Sequence, residues 1–347
     1  MNAEAMFLKA IELEPNFAKA HAWLSVVHTQ IYAWYIDRTE ERLAAAREAA
    51  DRSLEIVPEL SEGQGALAWY HFAALNDHDL ALEEFTKLRE KEPNDQTIEL
   101  CIAMIEETRG KWDNAMEGYR RAMKLNPRSA TLCLEYGNAL FYCRRYSEAE
   151  TLYNRAIELR PDSRQAYISK STLYIFWKGD FDTARQVLQE ALQRIDRWLE
   201  LTITEAILEL TASNFDRALT LLTESGETTD RLTYENAFYQ NLKGSVYRYL
   251  NEVGAMRASY DSAQIILQEL IHVEPEEPYN HTELGVAYAG LGRKHEAIQA
   301  GKHAVELLPV STDALNGADL VRNLAMIYAI VGEHDLAVEQ LEYLLSI

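Results

Sequence analysis

A pattern of four positions recurs along this chain with a period of 34 residues. An Ala is followed four residues later by an aromatic residue, three further on by a second Ala, and five further on by Pro. Two consecutive copies are Ala115, Tyr119, Ala122, Pro127 and Ala149, Tyr153, Ala156, Pro161. A third copy begins at Ala3, and looser copies begin at Ala81 and Ala297. A fixed period of this length predicts one small unit stacked many times.

A second helical stretch, with its own pattern, precedes each full copy. It places an apolar residue, then a small one, then a large one three positions later, as in Tyr136, Gly137 and Leu140. Small residues let two helices approach closely, and large residues on the same faces fill the space between them. The closing proline ends the second helix because it keeps the preceding residue out of helical geometry. One such pair buries little apolar surface, so neighbouring pairs must stack.

These residues resemble the tetratricopeptide repeat (TPR) family, whose motif combines W-x₂-L-G-x₂-Y, A-x₃-F-x₂-A and a final Pro. The resemblance covers nearly the whole chain and implies an all-α fold, a right-handed superhelical solenoid of antiparallel helix pairs. We expect an N-terminal half unit and about nine full units. Full units are predicted to begin near Ala18, Ser61, Gln96, Ala130, Arg164, Leu199, Ala237, Pro278 and Ala318.

Departures from the motif predict local irregularities. The first unit is stretched through residues 31–43, which indicates longer helices or an inserted loop. In the seventh unit the proline is delayed to Pro275, which predicts a second helix longer by about two turns. We expect an N-terminal block over residues 1–196 and a continuous C-terminal block over 197–347. The polar connector 225–236 is a candidate bend, although an irregular turn is the simpler interpretation.

The charge balance favours some partner classes over others. The chain carries 34 basic and 55 acidic residues, a net charge of −21, which repels nucleic acid and anionic membranes. Residues 109–170 differ, with 12 basic against 7 acidic side chains. This stretch is either a solvated face or a docking place for an acidic partner. No apolar run approaches the length that spans a bilayer, so we expect no membrane partner.

Catalytic and metal-binding motifs are missing from the sequence. There is no phosphate-binding glycine loop, zinc-protease motif, nucleophile elbow or kinase signature, so we expect no enzyme activity, no cofactor and no metal. His28 and His71 occupy positions where other units carry Tyr, which favours packing over ligation. His281 and Glu283 imitate half of a zinc-deaminase motif, but no matching cysteine pair follows. Three cysteines without paired spacing indicate reduced thiols and a cytoplasmic location.

The resemblance implies a ligand-facing groove on the first helix of each unit. Family positions two, five, nine, and twelve or thirteen of a unit face the ligand, and we transfer them residue by residue. The candidate groove residues are Trp69, Phe72, Ala73, Leu100, Met104, Glu107, Leu134, Asn138, Phe141, Tyr142, Ile168, Thr172, Ile175, Phe176, Ile203, Ile207, Leu210, Asn241, Ser245, Arg248 and Tyr249. An alternative is that some of them pack against second helices instead.

The composition of this face predicts the type of partner. Family members that grip a C-terminal carboxylate place Lys and Asn together, whereas here Asn138 neighbours Leu134. The middle of the groove is apolar and aromatic, which suits an amphipathic helix or an apolar extended segment. The sequence therefore predicts a non-enzymatic scaffold that binds a protein segment in its concave groove.

Two other hypotheses remain open at the level of the sequence. The segment 291–347 resembles the C-terminal TPR arrays of bacterial multidomain signalling proteins, which implies a regulatory or sensor region of a larger enzyme. Half repeats at the ends of the chain would also expose apolar surface, which predicts self-association.

Overall fold

The computed structural model describes residues 3–33, 37–195, 199–224 and 232–346, and these residues form helices and turns without strands. They divide into two compact units, Met1–Pro127 and Arg128–Ile347, which we call the first unit and the second unit. Each of these contains several of the helix-pair repeats. The predicted block boundary at 196–197 lies outside the described residues, as do residues 225–231 of the candidate bend, and both stay predictions. The predicted fold class, an all-α repeat solenoid of helix pairs, is confirmed.

The described residues of the first unit form seven helices. They are α1 (Ala3–Leu13), α2 (Ala18–Ala33), α3 (Glu40–Ile56), α4 (Ser61–Ala73), α5 (His78–Lys91), α6 (Gln96–Thr108) and α7 (Trp112–Leu125). Contacts are densest within the pairs α2–α3 and α6–α7, as expected if the helix pair is the repeated structure. Asp95 is the N-cap of α6, and its carboxylate accepts hydrogen bonds from the backbone N–H groups of Thr97 and Ile98 at 2.6 and 3.2 Å.

The second unit contains the remaining twelve described helices. They are α8 (Ala130–Tyr142), α9 (Tyr146–Leu159), α10 (Arg164–Lys178), α11 (Phe181–Leu192), α12 (Leu199–Thr211), α13 (Phe215–Glu224), α14 (Tyr234–Tyr249), α15 (Val253–Val273), α16 (Pro278–Gly290), α17 (Lys294–Leu307), α18 (Asn316–Ile330) and α19 (His334–Ser346). Contacts are again densest within helix pairs, notably α8–α9, α14–α15 and α16–α17.

The predicted first residues of the repeats agree closely with the observed starts of the helices. Seven of the nine coincide with the first residue of a helix, and α14 and α18 begin at Tyr234 and Asn316, three and two residues early. A side-chain cap begins α14, and before α18 a carboxylate in the preceding turn accepts a backbone hydrogen bond. The Thr233 hydroxyl accepts a hydrogen bond from the Asn236 N–H at 3.3 Å, and the Asp313 carboxylate accepts one from the Asn316 N–H at 2.8 Å.

The predicted irregular helices are also present. In the first full unit α2 and α3 run for 16 and 17 residues, and residues 34–36 between them lie outside the description. The helix α15 has 21 residues against 14 in α7, a difference of two turns, as the delayed Pro275 predicts. Both irregularities lengthen helices and leave the pairing intact.

The repeat positions form the core of both units. Tyr119 and Tyr153 are 1% exposed and Tyr260 is fully buried, which confirms that these tyrosines pack between helices. Small residues face the rings: a Cβ atom added at Gly137 would lie 2.7 Å from Cε1 of Tyr153. His28 and His71 are buried as well, in agreement with the packing interpretation.

Candidate functional site: an aromatic surface on the first helices

In the first unit, the predicted groove residues form a partly buried apolar strip. The rings of Trp69 and Phe72 lie 5.4 Å apart, and the Phe72 ring lies 5.6 Å from that of His78. Trp69, Phe72, Ala73 and Met104 are half-buried, whereas Leu100 is 7% exposed. The strip therefore presents only parts of its side chains to a ligand.

Glu107 serves packing in this unit. Its carboxylate accepts a hydrogen bond from the hydroxyl of Tyr119, and its side chain is buried. This hydrogen bond joins α6 to α7, and it places the Glu107 carboxylate between the two helices of the pair. Glu107 is therefore withdrawn from the surface that a ligand would meet.

The second unit presents a larger aromatic surface, which we call the aromatic ridge: Phe141, Tyr142, Tyr146, Phe176 and Trp177. The Phe141 ring lies 5.7 Å from Tyr142, 5.8 Å from Tyr146 and 5.9 Å from Phe176. The Tyr146 ring lies 6.1 Å from Trp177. These distances are typical of aromatic contacts, so the five rings form one continuous cluster across α8, α9 and α10.

The aromatic ridge is accessible. Tyr142 is 50% exposed and Phe176 is 63% exposed, although both are large apolar rings. Phe141, Tyr146 and Trp177 are half-buried and support them. Single exposed aromatic rings are common on protein surfaces and need no explanation. A contiguous exposed patch of several rings, by contrast, is typical of interaction surfaces.

Other predicted residues lie along the same helices with smaller exposure. Ile168, Thr172 and Ile175 are half-buried on α10, and Leu134 is buried on α8. Asn138 is half-buried, and its side-chain oxygen accepts a hydrogen bond from the Tyr153 hydroxyl at 3.0 Å. This amide is thus already bonded within the pair.

Farther along the second unit, the predicted residues divide into buried and exposed ones. Asn241 is buried and bonds to Glu283. Tyr249 is 52% exposed, stacks in parallel on Phe215 at 4.8 Å, and has the Arg248 guanidinium 5.4 Å from its ring. The remaining candidates on α12 and α14 are Ile203, Leu210 and Ser245, which are half-buried, and Ile207, which is 37% exposed.

Three residues outside the predicted groove positions complete these aromatic groups. Tyr146 opens α9, Phe215 opens α13, and Trp177 lies one residue beyond the last groove position of α10. Family positions on first helices leave out the start of the second helix, which faces the same edge of the pair. The signal that could have found Tyr146 and Phe215 is an aromatic residue at the first position of a second helix.

In the described part of the chain, metal-ligating side chains do not converge at these surfaces. No group of three or more His, Cys, Asp or Glu side chains is close enough to hold a metal ion there. A surface cavity beside α12 is lined by Arg185, Glu209 and the start of α13, and its Arg185 and Glu209 are already paired at 2.7 Å. None of the described helices has the length and apolar composition to cross a membrane.

Comparisons with known proteins agree with the repeat architecture. The family model of the tetratricopeptide repeat matches residues 108–170. The human mitochondrial import receptor subunit TOM70 is 27% identical over 112 residues, 32% of this chain and 18% of that protein. Human tetratricopeptide repeat protein 21B is 24% identical over 308 residues, 86% of this chain and 22% of that protein. The chain thus spans less than a quarter of the length of either relative.

Solved structures show the same fold. A tetratricopeptide repeat protein from Parabacteroides merdae matches with a TM-score of 0.52 at 16% identity, over 76% of this chain and 98% of that chain. The Cut9–Hcn1 hetero-tetramer of APC/C matches with a TM-score of 0.53 at 14% identity, over 92% of this chain and 58% of that chain. Identities this low carry the fold alone.

Proposed function

Since the chain belongs to the tetratricopeptide repeat family, we propose that it is a non-enzymatic protein-interaction scaffold that holds an apolar or amphipathic partner segment against the aromatic ridge. The observation that carries this proposal is the exposure of Tyr142 and Phe176 within a continuous five-ring cluster. Repeat proteins of this family generally act by binding other proteins, and one solved structure of the same fold is a complex, that of Cut9 with Hcn1.

The geometry of the aromatic ridge suits a segment more than a flat protein face. Its rings come from the ends of α8 and α10 and the start of α9, so they follow one edge of the helix pairs. Aromatic rings bury large areas with little loss of side-chain freedom, which is why they dominate binding energy at interfaces. A helix with an apolar stripe, or an extended apolar segment, can contact several of these rings at once.

A substitution experiment tests the proposal. The variant Phe141→Asp/Phe176→Asp places two carboxylates in the ridge, and Tyr142→Ser/Phe176→Ser removes only exposed rings. The matched control is Ile265→Asp, because Ile265 is an apolar side chain of 60% exposure on α15, outside the ridge. Affinity-purified wild type, both ridge variants and the control are compared by quantitative mass spectrometry of captured proteins.

We expect at least one captured protein to decrease about tenfold with both ridge variants and to stay unchanged with the control, as is typical when interface anchors are lost. Circular dichroism melts of all four proteins establish that each is folded. If the captured proteins are the same for the wild type and both ridge variants, the aromatic ridge is not the binding surface.

The two other hypotheses from the sequence are kept as alternatives. Self-association finds support in α19, where Val338, Leu341 and Leu345 are 52%, 46% and 72% exposed. Light scattering at high concentration tests it, and a strictly monomeric mass would contradict it. A regulatory role within a larger signalling protein, and a cytoplasmic location, remain predictions from the sequence.

A further inference from the structure

The aromatic ridge lies in the basic part of an otherwise acidic unit. Residues 128–178, which include α8, α9 and α10, carry 8 basic and 5 acidic side chains. Residues 179–347 carry 12 basic and 27 acidic side chains. The helices that supply the five rings therefore have a net positive charge, while the rest of the unit is strongly negative.

Two exposed cations, Arg144 and Lys178, lie next to ridge residues in the chain, and Lys178 also acts electrostatically on the Asp180 carboxylate. Arg144 is exposed in the turn that follows Tyr142, and Lys178 ends α10, with its Nζ 3.9 Å from the centroid of the Trp177 ring. Within the ranges that the structure describes, neither makes an ion pair. Their neighbour Arg145 differs, because it makes two hydrogen bonds with Glu148, at 2.7 and 2.6 Å.

Arg144 is the one charged residue among the left-handed turn residues that the structure describes, the others being four glycines, Asn76, Ser213 and Asn251. It has a φ of 57°, in the left-handed region, as do the matching turn residues Gly110, Gly179, Gly292 and Gly332. A long cationic side chain thus stands at the edge of the ridge, at a turn where glycine is the easiest residue to accommodate.

From these observations we infer that the partner segment is acidic: an amphipathic peptide whose apolar side chains contact the aromatic ridge and whose carboxylates meet Arg144 and Lys178. This inference rests on the proposed function and names the chemistry of its partner. The apolar rings provide burial, and the two cations select the charge of the segment, because opposite charges at the edge of an interface favour one partner over another.

The overall charge of the chain is opposite to what a preference for an acidic peptide would require. A net charge of −21 attracts basic peptides and repels acidic ones at long range. A preference for an acidic peptide would therefore have to come from a local positive surface. Basic and uncharged segments are the competing occupants, and each is an outcome of the test below.

Three fluorescein-labelled peptides test the inference with the intact chain. Each is an amphipathic helix of about 14 residues with Leu and Trp on one face, and the other face carries Glu, Gln or Lys. Fluorescence anisotropy gives Kd at about 50 and 500 mM NaCl, which separates screened from unscreened contacts. The proteins are wild type, Arg144→Gln/Lys178→Gln, and the control Arg257→Gln/Lys302→Gln, which removes two exposed cations of the same unit.

We expect wild type to bind the Glu peptide about tenfold more tightly than the Gln peptide at low salt, with a smaller difference at high salt. Arg144→Gln/Lys178→Gln should remove the difference, and the control should keep it. Equal binding of the Glu and Gln peptides, or tightest binding of the Lys peptide, would overturn the inference and leave the scaffold function standing. If no peptide binds, the ridge is not a site for amphipathic segments, and the proposed function fails with it.

Discussion

The amide Nδ2 of Asn241 donates hydrogen bonds to two oxygens of Glu283, the backbone carbonyl at 2.9 Å and a carboxylate oxygen at 2.8 Å. Both residues are buried, with exposures of 2% and 5%. The contact joins α14 to α16 across 42 residues of sequence. Asn241 therefore holds two repeat units together, and its side chain is not available to a ligand.

The pH dependence of stability follows from this buried carboxyl group. Burial raises the pKa of Glu283 from 4.5 to about 7, against a smaller lowering effect of the Asn241 hydrogen bond. Between these two pH values the folded chain binds more protons than the unfolded chain, so this group's contribution to stability falls as the pH rises from about 4.5 to 7. We expect Glu283→Gln to increase the free energy of unfolding by about 2 kcal/mol at pH 8 and by little at pH 5.

Urea unfolding of wild type and Glu283→Gln at both pH values measures the difference. The control is Glu269→Gln, which changes an exposed Glu on α15 and should give no pH-dependent difference. A stability gap of the same size at pH 5 and pH 8 would contradict the assigned titration.

The close approach of α14 to Tyr260 predicts a second stability effect. Tyr260 is fully buried, and a Cβ atom at Gly244 would lie 2.8 Å from its Cε1 and Cζ atoms. Gly244→Ala should destabilise the chain by about 1 to 3 kcal/mol, because the ring has no space to move. Gly254→Ala on α15 is the control, since no atom lies within 4 Å of its Cβ, and it should be neutral or stabilise by about 0.5 kcal/mol. Equal thermal melts of the two variants would refute the steric argument.

The sequence predicted the helices well because the repeat spacing records helix packing directly. Ala115 and Tyr119 must recur at fixed intervals if each pair is to stack on the next, so helix starts could be read to within three residues. The turns within pairs were harder to predict. Four use glycine, but Asn76, Arg144, Ser213 and Asn251 adopt the same left-handed conformation, which their residue types alone do not reveal.

The candidate site was predictable in outline and not in detail. Position within a unit predicts which helix face a residue occupies, and it placed Phe141 and Phe176 on one face. It does not predict a bond to a residue far along the chain, and for this reason Asn241 was expected in the groove although it is bound to Glu283. Contacts between helices, such as Tyr146 with Trp177, depend on inter-helix distances that no single repeat contains.

The ion pair between α11 and α12 predicts a third effect. Arg185 contacts both carboxylate oxygens of Glu209, at 2.7 and 3.0 Å, and the Glu209 side chain is 3% exposed. Hydrogen bonds from Arg185 lower the pKa of Glu209, so this pair stabilises the fold above the ordinary pKa of Glu and less as the pH falls below it. Arg185→Met should destabilise by about 2 kcal/mol at pH 7, because it leaves a buried carboxylate without its partner.

Urea unfolding at pH 7 and at about pH 4 should show this loss shrinking in acid, where the carboxylate of the variant takes up a proton. Arg155→Met is the control, since Arg155 pairs with Glu158 at an exposed i,i+3 position, and its effect should stay below about 0.5 kcal/mol. Equal losses in the two variants would show that burial of Glu209 adds nothing to the pair.

The three thiols should differ in reactivity. Burial raises the pKa of Cys101 to about 12 and also raises the pKa of Cys133, whereas Cys143 is half-buried at the end of α8. Only the thiolate attacks iodoacetamide, so at about pH 8 the folded chain should be alkylated at Cys143 at least about tenfold faster than at Cys101. Peptide mass spectrometry of timed samples measures both rates, and Cys143→Ser should remove the fast phase. In urea all three alkylation rates should converge, because unfolding exposes each thiol. Comparable alkylation rates at Cys101 and Cys143 in the folded chain would contradict the prediction and would mean that α6 opens readily.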